Sequence, residues 1–146
     1  MSMEGLREEI AGWIVEFSER YCAELGVEPI WREPLVGFAD AESPLFPELR
    51  TVAYPAHKVP QDYLPRARTV VSYFLPFKPA IPDNNAGGLL PTVEWAEAYK
   101  LTNAMAKELG RHIAGRIVDK GYRAVAPEDF TQIIDGTYSC WSQRHV

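Results

Sequence analysis

Apolar residues fall into three zones with different spacing, and the spacing predicts the elements. Between Leu6 and Leu25, the residues Leu6, Ile10, Trp13, Ile14, Phe17, Tyr21 and Leu25 recur at steps of three and four. That is the period of a helix with one buried stripe. Glu4, Glu8 and Glu9 stand in its opening turns, where the helix dipole favours carboxylates, and Gly26 follows as a C-terminal stop. Cys22 borders the stripe and reads as a packing residue.

From Pro29 to Ala67 the helical period is lost and prolines exclude long helices. Short extended pieces are expected at 35–39 and 51–54, and a single helical turn at 61–67. The run Thr69-Val70-Val71-Ser72-Tyr73-Phe74-Leu75 is β-branched, aromatic and stopped by Pro76. It reads as a strand covered on both faces. Residues 79–91 read as a loop, with Gly87-Gly88 as a turn. A long helix follows, capped by Thr92 with Glu94 in its first turn. Its expected buried face holds Trp95, Tyr99, Thr102, Met105 or Ala106, Leu109, Ile113 and Ile117, and Gly121 ends it. A short strand at 122–126 and a turn at 127–129 complete the pattern. The last stretch, with Ile133, Ile134, Tyr138, Trp141 and Val146, carries no stop signal and reads as ending in mid-element.

These elements add up to an α/β (α+β) chain with a central mixed sheet and flanking helices. It is organised as one domain, 1–146: a helix at 1–26, a proline-rich segment with the central strand at 27–91, and helix, strand and incomplete element at 92–146. Composition agrees with a globular protein, 47% hydrophobic and 24% charged. No apolar run is long enough for a membrane span, and the start has no leader-like apolar core, so the expected compartment is the cytoplasm. The net charge of −5 is uneven. Residues 1–48 hold eleven acids and three bases, whereas the rest hold nine acids and twelve bases. That argues against a basic nucleic-acid arm, while leaving room for an anionic ligand in the second part.

Candidate chemistry is sparse. Two cysteines, Cys22 and Cys140, cannot build a four-thiolate cluster; two reduced, buried thiols are the expected state, with a disulfide between them as the alternative. His57, His112 and His145 share no metal-ligand spacing; His112 sits at the boundary of the long helix's apolar face. Asp135, among Ile133, Ile134 and Tyr138, is a candidate proton donor if burial raises its pKa, with a structural role as the alternative. Tyr99 offers a hydroxyl on an apolar face. Aromatic side chains such as Tyr138 and Trp141 serve either as core or as walls for a flat cofactor.

Four phrases then carry a resemblance: "WREPLVGFADAESPLFPELR", "PQDYLPRARTVVSYFLPF", "NAGGLLPTVEWAEAYKLTN" and the terminal "WSQRH". In this order, from Trp31 to Val146, they resemble the N-terminal region of epoxyqueuosine-reductase-like iron–sulfur proteins, relatives of cobalamin-dependent reductive dehalogenases. In that group the last phrase leads into an "AGLG" turn and ferredoxin-type cysteine clusters, neither of which lies in this sequence. The resemblance implies a nitroreductase-like sheet that holds cobalamin, and [4Fe–4S] clusters in a missing downstream part or a separate iron–sulfur module. It implies Asp135 and Tyr99 as catalytic residues, with Ala98 standing where the family pair has aspartate before tyrosine. Gly87, Gly88, Tyr138, Trp141, Arg144 and His145 would contact the cofactor, with no metal ligand in this chain. The parent would be an oxidoreductase acting on tRNA or a small molecule, the chain by itself inactive. Two alternatives stand beside it. One is a non-catalytic interaction module whose apolar C-terminal segment pairs with a copy of itself, as a homodimer, or with a separate cluster-carrying subunit; the other is a flavin-binding nitroreductase-like domain.

Overall fold

The computed structural model describes residues 2–127 and the short pieces 133–134 and 138–139. Its elements in chain order are α1 (Met3–Leu25), β1 (Leu35–Asp40), α2 (Leu45–Val52), α3 (Pro60–Tyr63), β2 (Thr69–Phe74), α4 (Ala80–Asn85), α5 (Val93–Asp119), β3 (Ile133–Ile134) and β4 (Tyr138–Ser139). The chain is thus mixed α/β. Among the described residues β1 pairs with β2, and β3 pairs antiparallel with β4, Ile133 opposite Ser139 and Ile134 opposite Tyr138. Two compact units emerge, one from Met1–Val36 with Tyr73–Ile113, the other from Gly37–Ser72 with the chain from Ala114 onward.

The first unit is built on two long helices. Ser2 caps α1 by accepting the Gly5 N–H at 3.1 Å. Gly26 closes it at φ +69°, and the Gly26 and Val27 N–H groups donate to Ala23 and Cys22 carbonyls. A left-handed φ is what glycine tolerates and other residues resist. The buried stripe of α1 is Ile10, Trp13, Ile14, Phe17, Ser18 and Cys22; Leu25, expected on it, is exposed. Thr92 caps α5 as expected, its Oγ1 accepting the Trp95 N–H at 3.2 Å. The buried face of α5 is Ala98, Met105, Leu109 and Ile113. Tyr99 is 62% exposed, a correction to the expected face: Ala98, one position back, takes the inward place.

Residues 79–91 are not simply a loop. α4 forms within them, with Pro79 as its N-cap residue and Pro82 in its first turn. First-turn N–H groups have no helical acceptor, so proline costs nothing there. Asn85 then accepts the Thr92 N–H at 2.9 Å and links the end of α4 to the start of α5. Beside the sheet, Trp31 bridges antiparallel to Phe77, with Arg32 N–H donating to the Pro76 carbonyl and Lys78 N–H to the Ile30 carbonyl, both at 2.8 Å.

In the second unit, the expected extended piece at 51–54 is instead the end of α2. Pro44 and Pro47 lie at its start, where they are compatible with a helix, and Phe46 is buried beneath it. α3 is the expected single turn, entered through Pro60 and tied by the Asp62 carboxylate, which accepts the Val59 N–H at 2.8 Å. Arg50 links α2 to this turn, donating Nε–H to the His57 carbonyl at 2.9 Å and pairing with Asp62 at 3.1 Å. Gln61 donates to the Ala41 carbonyl at 2.9 Å. No strand forms at 122–126; Tyr122 and Val125 are exposed and make no ladder. β2 forms where expected, but its interior positions are only half-buried and its ends exposed, so it is not covered on both faces as the apolar run implied. No helix among the described residues is long and apolar enough to cross a membrane.

Candidate functional site

The first unit holds a half-open cavity of about 380 Å³. α1 supplies Ile14 and Ser18, the extended segment after it supplies Trp31 between Pro29 and Pro34, and Leu75 follows β2. Its charged lining is Glu19, Arg32 and Glu33. The wall at Trp31 is firmly held. The indole N–H donates to Thr102 Oγ1 at 2.9 Å, and that hydroxyl donates onward to the Ala98 carbonyl at 2.8 Å. Arg32 Nε–H donates to the Phe77 carbonyl at 3.1 Å, and the Phe77 ring meets Trp95 edge-on at 5.5 Å between centroids. Ser18 is buried and turns its hydroxyl back to the Val15 carbonyl at 2.9 Å.

The Cys22 thiol and the Tyr73 hydroxyl are both pushed away from reactivity at neutral pH. Burial raises the Cys22 thiol, Glu28 raises it further, and Lys78 opposes. A thiol held protonated is a poor nucleophile. Burial also pushes the Tyr73 hydroxyl up to about 12, where its O–H donates to the Ala106 carbonyl at 3.4 Å. Both side chains therefore act as packing and hydrogen-bonding groups. His112 is a half-buried boundary residue, its ring tilted on Phe17 at 5.0 Å.

The expected site residues divide into two sets. Tyr99, Gly87 and Gly88 lie in the first unit, and all three are exposed. A Cβ at Gly87 would meet open space, whereas one at Gly88 would stand 3.2 Å from the Leu90 carbonyl oxygen. None of the three lines the cavity. Asp135, Trp141, Arg144, His145 and the Tyr138 side chain lie outside the described residues, as do Cys140 and the expected turn at 128–129. Among the described residues no group of three or more His, Cys, Asp or Glu side chains is placed to hold a metal ion.

The described residues do not enclose a corrinoid. The cavity has the volume of a site for a small organic ligand, near the lower end of that range, and cobalamin is far larger. Its lining residues Ser18, Glu19, Arg32 and Glu33 were not singled out in the sequence. Only the fold brings them together, since α1 and the chain after it turn back on one another at Gly26. Compared with protein-family models, curated proteins and solved structures, the chain matches none.

Proposed function

We propose that this chain is the cofactor- and substrate-binding domain of an iron–sulfur, cobalamin-dependent reductase of the epoxyqueuosine-reductase kind. The clusters would be ligated by cysteines outside this sequence, because two cysteines cannot hold one. The observation that carries the reading is the ordered series of four phrases between Trp31 and Val146. Supporting it, residues of three of those phrases meet one another: Trp31 hydrogen-bonds Thr102, Arg32 the Phe77 carbonyl and Arg50 Asp62, and the Phe77 ring meets Trp95 edge-on. Phrases that co-occur because they build one framework are expected to interlock in this way. The finer fold implied by the reading is a nitroreductase-like sheet completed by the chain beyond residue 127. The described residues would be the support, with Asp135 to His145 supplying the cofactor contacts.

Bound cobalamin would supply a strongly reducing cobalt centre, and the protein's part would be to shelter it and deliver a proton. Titration with cobalamin, followed by ultraviolet–visible spectroscopy, tests this reading. A saturable spectral change at micromolar protein is expected; a flat titration counts against it. A second reading, an interaction module, draws on the fully exposed Leu89 and the largely exposed Leu90 in the α4–α5 connection and on the exposed Val93 that opens α5. Sedimentation as a monomer at high concentration would remove its basis in self-association.

A further inference from the structure

In the second unit, the turn at Leu64–Ala67 holds a residue out of character. Ala67 N–H donates to the Leu64 carbonyl at 2.9 Å, which closes a four-residue turn with Pro65 second and Arg66 third. Arg66 has φ +66°, the single positive φ outside glycine among the described residues. Turns with proline second and a left-handed third residue normally put glycine or asparagine there, because a Cβ crowds the neighbouring carbonyl. Glycine would form the same turn without that strain. Strain kept at an exposed position calls for a reason other than packing.

The Arg66 side chain gives no such packing reason: it is exposed and makes no hydrogen bond or ion pair among the described residues. Two more guanidinium groups stand at this loop, one within it and one from another segment. Arg68 is 79% exposed, with Nε 3.9 Å from a Glu42 carboxylate oxygen, at the outer limit of an ion pair. Arg123 comes from the chain after α5 and donates Nη1–H to the Pro65 carbonyl at 3.4 Å, beside the peptide that leads into Arg66. The nearby Asp62 is already committed to Arg50 and to the Val59 N–H. Three positive groups therefore share one loop against one loosely paired carboxylate, an excess of two charges that the loop itself does not neutralise.

We propose that the Pro65–Arg68 loop and Arg123 form an anion site that takes a phosphate group. A phosphate monoester or inorganic phosphate carries close to two negative charges at neutral pH and accepts the planar guanidinium fork at two oxygens. Arg66 projects its charge from the turn, Arg123 is held beside the turn by its bond to Pro65, and Arg68 exchanges the weak Glu42 contact for the anion. The strained φ is the cost of placing a guanidinium where the turn would otherwise carry a hydrogen atom. The site does not depend on the reductase reading.

The test uses the whole chain with inorganic phosphate as probe, at constant ionic strength against chloride, read by phosphorus NMR and by thermal unfolding. Saturable binding is expected, weakened about tenfold by Arg66→Gly and similarly by Arg123→Gln, the loss expected for one charge-assisted contact. In phosphate-free buffer Arg66→Gly should melt at the same temperature or higher, because glycine accepts the left-handed φ freely. The proposal is overturned if both variants bind phosphate as the wild type does, or if phosphate is no better than chloride. It is equally overturned if Arg66→Gly melts lower, which would make the side chain a structural one. A nucleoside monophosphate and a short single-stranded oligonucleotide separate two sources of the same group. Equal affinity for both supports a small phosphate ester; affinity that rises with strand length and falls steeply with salt supports a polynucleotide backbone.

Discussion

Trp31 is buried to 7% exposure, and its indole N–H finds its acceptor seventy-one residues away at Thr102. Thr102→Val keeps the shape and removes the acceptor, which leaves a buried donor unsatisfied at a cost of about 1–3 kcal/mol. Urea unfolding should show that loss, and Thr102→Ser should recover most of it. Tyr73 makes a pH prediction. Its folded pKa, about 12, lies above the ordinary value of 10.0, so the folded state holds the proton more tightly. The stability this contributes is complete below pH 10 and is lost as pH rises toward 12. Unfolding midpoints should fall over that interval in the wild type and fall less in Tyr73→Phe. Single residues were the least legible part of the sequence. Tyr99 and Ala98 are neighbours on a helix about 100° apart per residue, and a stripe drawn from apolar size alone chose the larger. The structure buries the alanine, so the tyrosine hydroxyl meets solvent.

At the scale of elements, capping chemistry was the strongest signal. Thr92 and Gly26 both act as read: one accepts an N–H of the first turn, the other takes the left-handed φ that ends α1. Thr92→Ala should cost about 1 kcal/mol, measurable as a lowered denaturant midpoint with an unchanged slope. Prolines keep the helices short without preventing them. At 44–47 and 79–82 they sit at the N-cap and first turn, where they break nothing, and α2 and α4 begin on them. At 51–54, where an extended piece was expected, the helix opened at Leu45 carries Thr51 and Val52 along, with Phe46 buried. The 122–126 segment has strand-forming residues and lacks a strand, because pairing partners are supplied by the fold and not by propensity.

At the scale of the molecule, the core of the first unit rests on Ile10, Ile14 and Cys22 from α1 and Met105 and Leu109 from α5, all without solvent exposure. Leu109→Ala should cost about 2–5 kcal/mol, a large part of an ordinary domain's total, and should lower the thermal midpoint well beyond any capping variant. The same bulk leucine is legible in the sequence, since period and apolarity coincide there. The 380 Å³ cavity and the Arg66 turn are not, for the reason that each joins residues far apart in the chain: Ser18 with Leu75, Pro65 with Arg123. By itself the sequence determined the two long helices, their ends, the Thr69 strand and the limit that two cysteines set on cluster chemistry. These follow from local periodicity, local capping and counting. Only the tertiary structure decided which face of α5 is inward, which expected site residues are exposed, and where positive charge gathers. Those depend on contacts between segments, which local spacing does not encode.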